Sequence, residues 1–321
     1  MILTKCAFML DQSLAILFPG QGSQISGMGK DLFQRNPTSR AIFEAADEIL
    51  RLPLSEYCFK SIEEDPRALE KLTNTAICQP ALYTHSIAVF AALDLAPDLV
   101  AGHSVGEYSA LHACGALSFE DGLRLVRRRG ELMAMAGQGR SAGMTAVIGV
   151  PGEVVNAACK EVSTPDSIVV CANYNAPGQV VISGDTAALR RVEKMLAEEG
   201  ARKLVQLPVS GAFHSPLVSD AREALAQELA TVTILPPVCP IYLNVTAQPA
   251  LDPEHIRARM LEQLTSPVRW SQLLQNMPEN LSFIEVGPGR VLNGLVRQTL
   301  GRRTDVISIS TADAVEAFIA E

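Results

Sequence analysis

Apolar positions along this chain follow two rhythms: short unbroken runs, and longer stretches in which they recur every three or four residues. Runs bounded by turn residues predict strands covered on both faces, and the longer period predicts helices with one covered side. "LAILF" (14–18) is the first run and stops at "PGQGSQ"; "DLVAG" (98–102) is the second. Helical spacing covers about 38–50 and 75–94, the latter interrupted by Pro80, and then 105–114 and 119–136.

From 142 to 207 the texture changes. Strand "MTAVIGV", helix "GEVVNAACKEV", strands "SIVVCAN" and "GQVVIS", helix "TAALRRVEKMLAEEG" and strand "RKLVQLPV" follow one another within this short stretch. That β-α-β-β-α-β order is ferredoxin-like, and glycine-rich segments flank it (136–143 and 208–216). Helix and strand then alternate again: helix 216–230, strand "IYLNV", helices 253–264 and 267–277, strand "FIEVG", helix 289–300 and strand "DVISI". Alternation with short connections predicts an α/β core with a mostly parallel sheet. The expected organisation is a large discontinuous domain (1–136 and 208–321) carrying a small inserted domain (137–207).

Composition changes this picture little but removes several functions. The 321 residues, 48% apolar and 19% charged, suit a globular chain of about two domains. A net charge of −8 argues against wrapping nucleic acid, while leaving room for a local basic patch. Seven cysteines (6, 58, 78, 114, 159, 171 and 239), none in a C-x-x-C pair, predict reduced thiols. The apolar N-terminus is broken by Lys5 and Asp11 and lacks a small-residue cleavage pattern, so it is not read as a signal peptide. No run reaches the roughly 20 uninterrupted apolar residues of a membrane span. A cytoplasmic protein without a membrane partner is expected.

The chemistry starts where strand "DLV" runs into "GHSVGEYSAL". A Gly-x-Ser-x-Gly turn between strand and helix lifts a serine above a sheet and leaves backbone N–H groups at the helix start, as in α/β-hydrolases. Gly102 and Gly106 supply the two small positions, which makes Ser104 the candidate nucleophile. A serine needs a base, and the five histidines are separable by context. His103 adjoins Ser104 and points elsewhere in such a turn, and His112 falls on the following helix. His85 sits mid-helix among apolar residues as a satisfied core histidine, and His255 lies in a charged stretch. His214 stands on a glycine-containing loop just before a helix capped by Ser215 with Pro216 at its first position, a common address for site residues. It is the candidate base. No acid is an obvious third member, so a backbone carbonyl holding the imidazole, and hence a dyad, is an open alternative.

"LRLVRRRGELM" looks like a solvated charge run, but helical spacing divides it. Arg124, Arg127 and Glu131 share one side, whereas Arg129 lies opposite, among Leu125, Val126, Leu132 and Met133. A guanidinium on an apolar face needs a partner. An internal carboxylate, a stem reaching to water and a bound carboxylate all satisfy that need. The two glycine-rich loops do not read as phosphate sites: "GQGSQI" and "GPGRVL" place Ile25 and Leu292 where a dinucleotide fingerprint requires glycine. No Walker A sequence, H-E-x-x-H or metal-ligand spacing is present, so neither a nicotinamide cofactor nor a metal is expected.

Taken together, "FPGQGSQ" (18–24), "GHSVGE" (102–107), "RRRGELM" (127–133), "NYNAPGQVVISG" (173–184), "PVSGAFHSP" (208–216), "QLTSPVRW" (263–270) and "EVGPGRVL" (285–292) run in the order of a known family. The chain resembles the malonyl-CoA:acyl-carrier-protein transacylases and the related acyltransferase domains of polyketide synthases (PKS). The resemblance implies an α/β-hydrolase-like core with a ferredoxin-like insert. It also implies malonyl transfer from malonyl-CoA to the phosphopantetheine thiol of an acyl carrier protein, by a ping-pong route without a cofactor. It assigns Ser104 as nucleophile, His214 as base and Arg129 as the partner of the malonyl carboxylate. Backbone N–H groups of Gln21 and Val105 would hold the oxyanion, and Gln263 marks the loop whose carbonyl orients His214. Asn173 and Phe213 become pocket residues, and "GAFH" resembles the malonyl-selective pattern. "LTSPV" departs from the expected "LYNPV". A serine thioesterase or hydrolase of α/β type, a stand-alone acyltransferase serving a polyketide synthase with a related extender unit, and a non-catalytic carrier-docking protein are the competing readings. A monomer and a basic patch near the cleft, facing an acidic carrier, complete the expectation.

Overall fold

The computed structural model describes residues 13–137, 139–209 and 211–320. The N-terminal dozen residues, with Cys6 and the signal-peptide reading, lie outside the described residues. The described strands are β1 (Ser13–Phe18), β2 (Leu99–Gly102), β3 (Ala142–Ile148), β4 (Val169–Ala176), β5 (Gln179–Asp185), β6 (Lys203–Gln206), β7 (Ile241–Tyr242), β8 (Pro249–Ala250), β9 (Leu281–Val286) and β10 (Val306–Ile309).

Six of them form one sheet in the order β10-β9-β1-β2-β7-β8, parallel at every pairing except β7–β8. The unbroken apolar runs have the predicted cause. Along β1, Leu14, Ile16 and Phe18 enter one core, while Ala15 and Leu17 enter a second core on the opposite face. A sheet covered on both faces has no polar side to alternate with. The other four strands make an antiparallel sheet, β4-β5-β3-β6, with its own core under two helices (Gly152–Val162 and Thr186–Glu198). The order of strands and helices there is the ferredoxin-like one read from the pattern.

Two expectations need correction. The helix over 75–94 is not interrupted: Thr75–Leu93 is continuous with Pro80 inside it. Proline removes the N–H that would reach the carbonyl four residues back. That carbonyl, Ala76, instead accepts a hydrogen bond from Arg127 Nη1 at 2.8 Å. Arg127 lies on the Phe119–Ala136 helix, which approaches so closely that a Cβ on Gly130 would sit 2.6 Å from the Thr75 carbonyl. Thr75–Leu93 is also long and apolar enough to cross a membrane, yet 72% of the apolar window is buried inside the protein. A helix apolar all round is a core helix when other elements cover it. Likewise "IYLNV" pairs only over Ile241–Tyr242, because Asn244 turns its backbone and side chain to other tasks. The pattern missed three short helices (Lys30–Arg35, Leu54–Phe59 and Ala68–Thr73) and a C-terminal one (Ala312–Ala320).

The sheet locates the site. Neighbouring strands β1 and β2 end in register, Phe18 opposite Gly102, so the loops that follow them emerge side by side at their carboxyl ends. Ligands of parallel α/β sheets sit outside such ends, where successive connections depart in different directions. Gln21 lies on one of these loops and Ser104 on the other.

Candidate active site

Ser104 occupies the turn between β2 and the Gly106–Ala113 helix with φ at 53°, a left-handed conformation that costs a serine energy. The turn is tight enough to exclude side chains at both flanking glycines. A Cβ on Gly102 would lie 1.9 Å from the Gly106 carbonyl oxygen, and one on Gly106 would lie 2.2 Å from that of Phe18. His214 is also left-handed, at φ 55°, on the loop before the Pro216–Val218 turn. Ser215 caps that turn through the Leu217 N–H, as expected, and the Ser219–Ala230 helix follows.

The two side chains meet: Ser104 Oγ and His214 Nε2 are 2.8 Å apart. His214 Nδ1 is 2.8 Å from the backbone carbonyl of Gln263, which only accepts. Nδ1 therefore carries the proton, Nε2 presents a lone pair, and the serine hydroxyl donates to it. No carboxylate is needed to fix this tautomer. Burial, then the positive charge of Arg129, depresses the His214 pKa to about 3, so the ring is neutral near pH 7.

Arg129 is 1% exposed, which removes the reading of a stem reaching to water. Among the described residues no carboxylate oxygen comes within ion-pair distance of it, which removes the internal salt bridge. Its guanidinium instead donates to Gln79 Oε1 at 2.7 Å, Gln263 Oε1 at 3.0 Å and Ser104 Oγ at 3.1 Å. Its carbon lies 5.7 Å from the centre of the Tyr108 ring, and Nε has no partner. A buried cation with neutral acceptors beside a serine retains a net attraction for an anion.

Gln21, Val105, Asn173 and Phe213 line the same cleft, together with Met133 and Met144; its empty volume is about 510 Å³. Neither the Gln21 nor the Val105 N–H reaches an acceptor among the described residues, whereas Ser104 N–H donates to Asn244 Oδ1 at 2.7 Å. These are the two N–H groups that the resemblance implies as oxyanion donors. Gln21 is held through its side chain, which donates to Thr75 Oγ1 at 3.3 Å. His103 also lines the cleft, but its ring makes no bond to Ser104: Nε2 is 2.8 Å from Asn175 Oδ1 and the ring lies against Trp270. His112 faces the Leu117 carbonyl, and His255 is exposed. His85 is buried as expected but is not fully satisfied, since its Nδ1 has no partner.

The sequence reading missed three participants. Gln79, Glu107 and Asn244 are each at most 1% exposed and each bonds to a site residue or to another of the three. Burial pushes the Glu107 carboxyl up to about 8. The signal for Gln79 and Asn244 was present as polar residues inside apolar runs, "AICQPALY" and "IYLNV", since a buried polar residue is more informative than a buried apolar one; Glu107 stood inside the serine motif itself. Gln263 also does more than predicted: its Nε2 donates to the Ser104 carbonyl at 3.1 Å.

Comparison with known proteins shows the family. The family model described as an acyl transferase domain matches residues 16–316. The chain is 40% identical over 311 residues to the malonyl CoA-acyl carrier protein transacylase of Bacillus subtilis (strain 168), covering 95% of this chain and 96% of that one. It resembles the solved malonyl CoA-acyl carrier protein transacylase of Coxiella burnetii with a TM-score of 0.90 at 33% identity, over 96% and 97% of the two chains. A malonyl-transacylase solved in complex with its type II PKS acyl-carrier protein gives 0.89 at 34% identity, over 96% and 99%.

Proposed function

The chain belongs to the acyl transferase family, and from that membership we propose that it moves malonyl from malonyl-CoA to the phosphopantetheine thiol of an acyl carrier protein through a malonyl-Ser104 intermediate. The observation that carries the substrate choice is Arg129, a buried guanidinium beside Ser104 Oγ whose protein partners are all uncharged. The free carboxylate of malonyl supplies the missing anion in two-pronged geometry.

In this mechanism His214 Nε2 takes the Ser104 proton as Oγ attacks the thioester carbonyl. The oxyanion forms against the N–H groups of Val105 and Gln21. Collapse breaks the C–S bond, and the CoA sulfur leaves with the proton from His214. The carrier thiol then enters, gives its proton to His214 and attacks the acyl-serine; the Ser104 oxygen recovers that proton as the second intermediate collapses. The thioester arrives activated, so the chemistry calls for no cofactor. Asn173 and Phe213 shape the pocket, which lies between the large domain (1–136 and 208–321) and the insert (137–207). The enzyme acts as a cytoplasmic monomer in this reading. A PKS carrier is a second candidate recipient, because one of the structural relatives was solved with such a carrier.

Mass spectrometry of the intact protein tests the proposal. Malonyl-CoA alone should add one malonyl group, absent in Ser104→Ala, and carrier bearing phosphopantetheine should remove it. Rapid turnover of malonyl-CoA without carrier would instead establish a thioesterase, and no labelling at all would establish a non-catalytic docking protein.

A further inference from the structure

Asn244 lies just past β7, wholly buried, and every polar group it owns is engaged. Its side-chain Oδ1 accepts from Ser104 N–H and its Nδ2 donates to the Gly102 carbonyl, each at 2.7 Å. Its own N–H donates to Glu107 Oε2 at 2.7 Å, and its carbonyl accepts from Arg269 N–H at 3.0 Å. The carboxamide therefore spans the serine turn from the residue two before the nucleophile to the nucleophile itself. Glu107, on the helix that follows the turn, fixes the backbone from which that carboxamide projects. Arg269 belongs to the segment leading away from Gln263, the last residue of the Pro253–Gln263 helix, so one residue ties the nucleophile turn to the stretch of chain that follows the carbonyl supporting His214.

We propose that Asn244 is a positioning residue for the acyl-transfer step, with Glu107 as its anchor. It acts in two ways. It holds Ser104 in the left-handed conformation that aims Oγ at His214, a conformation a serine keeps only where surrounding bonds over-determine it. It also occupies the Ser104 N–H, so the donors facing the developing oxyanion are those of Val105 and Gln21 rather than a mixture of three. Asn244 touches neither acyl group nor thiol, so its removal acts on the alignment of Ser104 and leaves the grip of Arg129 on malonyl in place.

This inference rests on Ser104 being the nucleophile, and the test separates the two. An uncharged alkyl fluorophosphonate phosphonylates an activated serine and has no carboxylate for Arg129 to bind. Wild-type protein should be labelled at Ser104; absence of label would refute the nucleophile itself. In Asn244→Ala the labelling rate and kcat for malonyl transfer should fall together, on the order of 10²-fold, the scale of a small misplacement of a reacting group. The KM for malonyl-CoA should stay within about twofold, on the ground that ground-state binding is untouched. Retention of kcat within threefold, a loss confined to KM, or undiminished labelling overturns the proposal. Asn244→Asp keeps an oxygen opposite the Ser104 N–H, and should restore labelling at pH 6 to more than a tenth of wild type even if the alanine variant fails to fold. Labelling as slow as in a Ser104→Ala blank overturns the assignment.

Discussion

Arg129→Ala isolates the group proposed to choose the substrate. The wild-type guanidinium is 1% exposed and has amide and hydroxyl acceptors but no anion, so malonyl provides its only anionic partner in the proposed complex. Truncating one member of a buried charged pair costs roughly 2–5 kcal/mol. At 1.36 kcal/mol per decade this is about 30- to 5,000-fold in kcat/KM for malonyl-CoA. Acetyl-CoA behaves differently, because it offers the cation nothing and shuts it further from water. Removing the cation therefore leaves acetyl transfer unchanged or improved, except for a factor common to both substrates. That factor comes from the lost bond between Nη2 and Ser104 Oγ, and it cancels in a ratio. The readout is the ratio of kcat/KM for malonyl- and acetyl-CoA with one carrier protein, which should fall at least about 30-fold by the same arithmetic. Thermal unfolding checks that the variant is folded at the assay temperature, since Gln79 and Gln263 each lose a donor at about 1–3 kcal/mol if left unsatisfied. A ratio within threefold of wild type would refute the assignment, however low the absolute rates.

Burial holds His214 at about 3, so the transfer rate should not fall as pH drops from 7 to 5, where an ordinary histidine base would lose most of its neutral form; an acid limb near 6.5 in the kcat profile contradicts this. Stability has the opposite sensitivity. His214 and His85, the latter held at about 4, stay neutral in the folded state, while the unfolded chain takes up protons below about 6.5. Each lowers the unfolding free energy by roughly 2 kcal/mol between pH 7 and 5, measurable in urea, and a flat profile would contradict it. Gly102→Ala drives a Cβ to 1.9 Å from the Gly106 carbonyl oxygen, so expression as folded protein should fail or the urea midpoint should drop sharply with loss of activity. Arg127→Ala should destabilise the wild type more than it destabilises Pro80→Ala, because alanine at 80 restores an N–H for the Ala76 carbonyl that Arg127 now serves. A double-mutant cycle in urea should show about 1 kcal/mol of coupling, and additivity would exclude the compensation.

The legible part of this molecule was whatever depends on local pattern. β1 and β2 stood out because a sheet covered on both faces makes continuous apolar runs, and Ser104 because its two glycines form a local pattern, although only Gly102 is demanded by atoms of the same turn and Gly106 by the distant end of β1. Arg129 stood out because helical spacing exposes a charge on an apolar face, though the spacing alone left three partners open. The continuity of helix Thr75–Leu93 was not legible, since proline breaks a helix unless something else satisfies the orphan carbonyl, and that donor is 51 residues away. Gln79, Glu107 and Asn244 were hidden for the same reason: Asn244 meets Ser104 across 140 residues and Glu107 across 137. A single polar letter in an apolar run says that a partner exists, but not where.

That a carbonyl, and among the described residues no carboxylate, stands behind His214 follows from the chemistry proposed for the site. A carboxylate there would stabilise the imidazolium and raise its pKa, whereas the Gln263 carbonyl fixes the same tautomer without adding charge. Arg129 could not share the pocket with such a carboxylate on equal terms: the two would pair, and the guanidinium would lose its vacancy for malonyl. Neutral support for the histidine and an unpaired arginine are thus one design requirement, met by Gln263 for both, through its carbonyl and its Oε1. The cost is a weaker base. A thioester tolerates it, because the departing thiol, with an ordinary pKa of about 8.5, needs far less proton assistance than an amine or alcohol. Water needs the most help of the competing nucleophiles, so the same weak base favours the carrier thiol over hydrolysis. Introducing a carboxylate beside His214 Nδ1, as in Ser266→Asp on the loop that follows Gln263, should therefore raise the acid limb of kcat and increase malonyl-CoA hydrolysis relative to transfer; an unchanged ratio of hydrolysis to transfer at a raised pKa would refute the link.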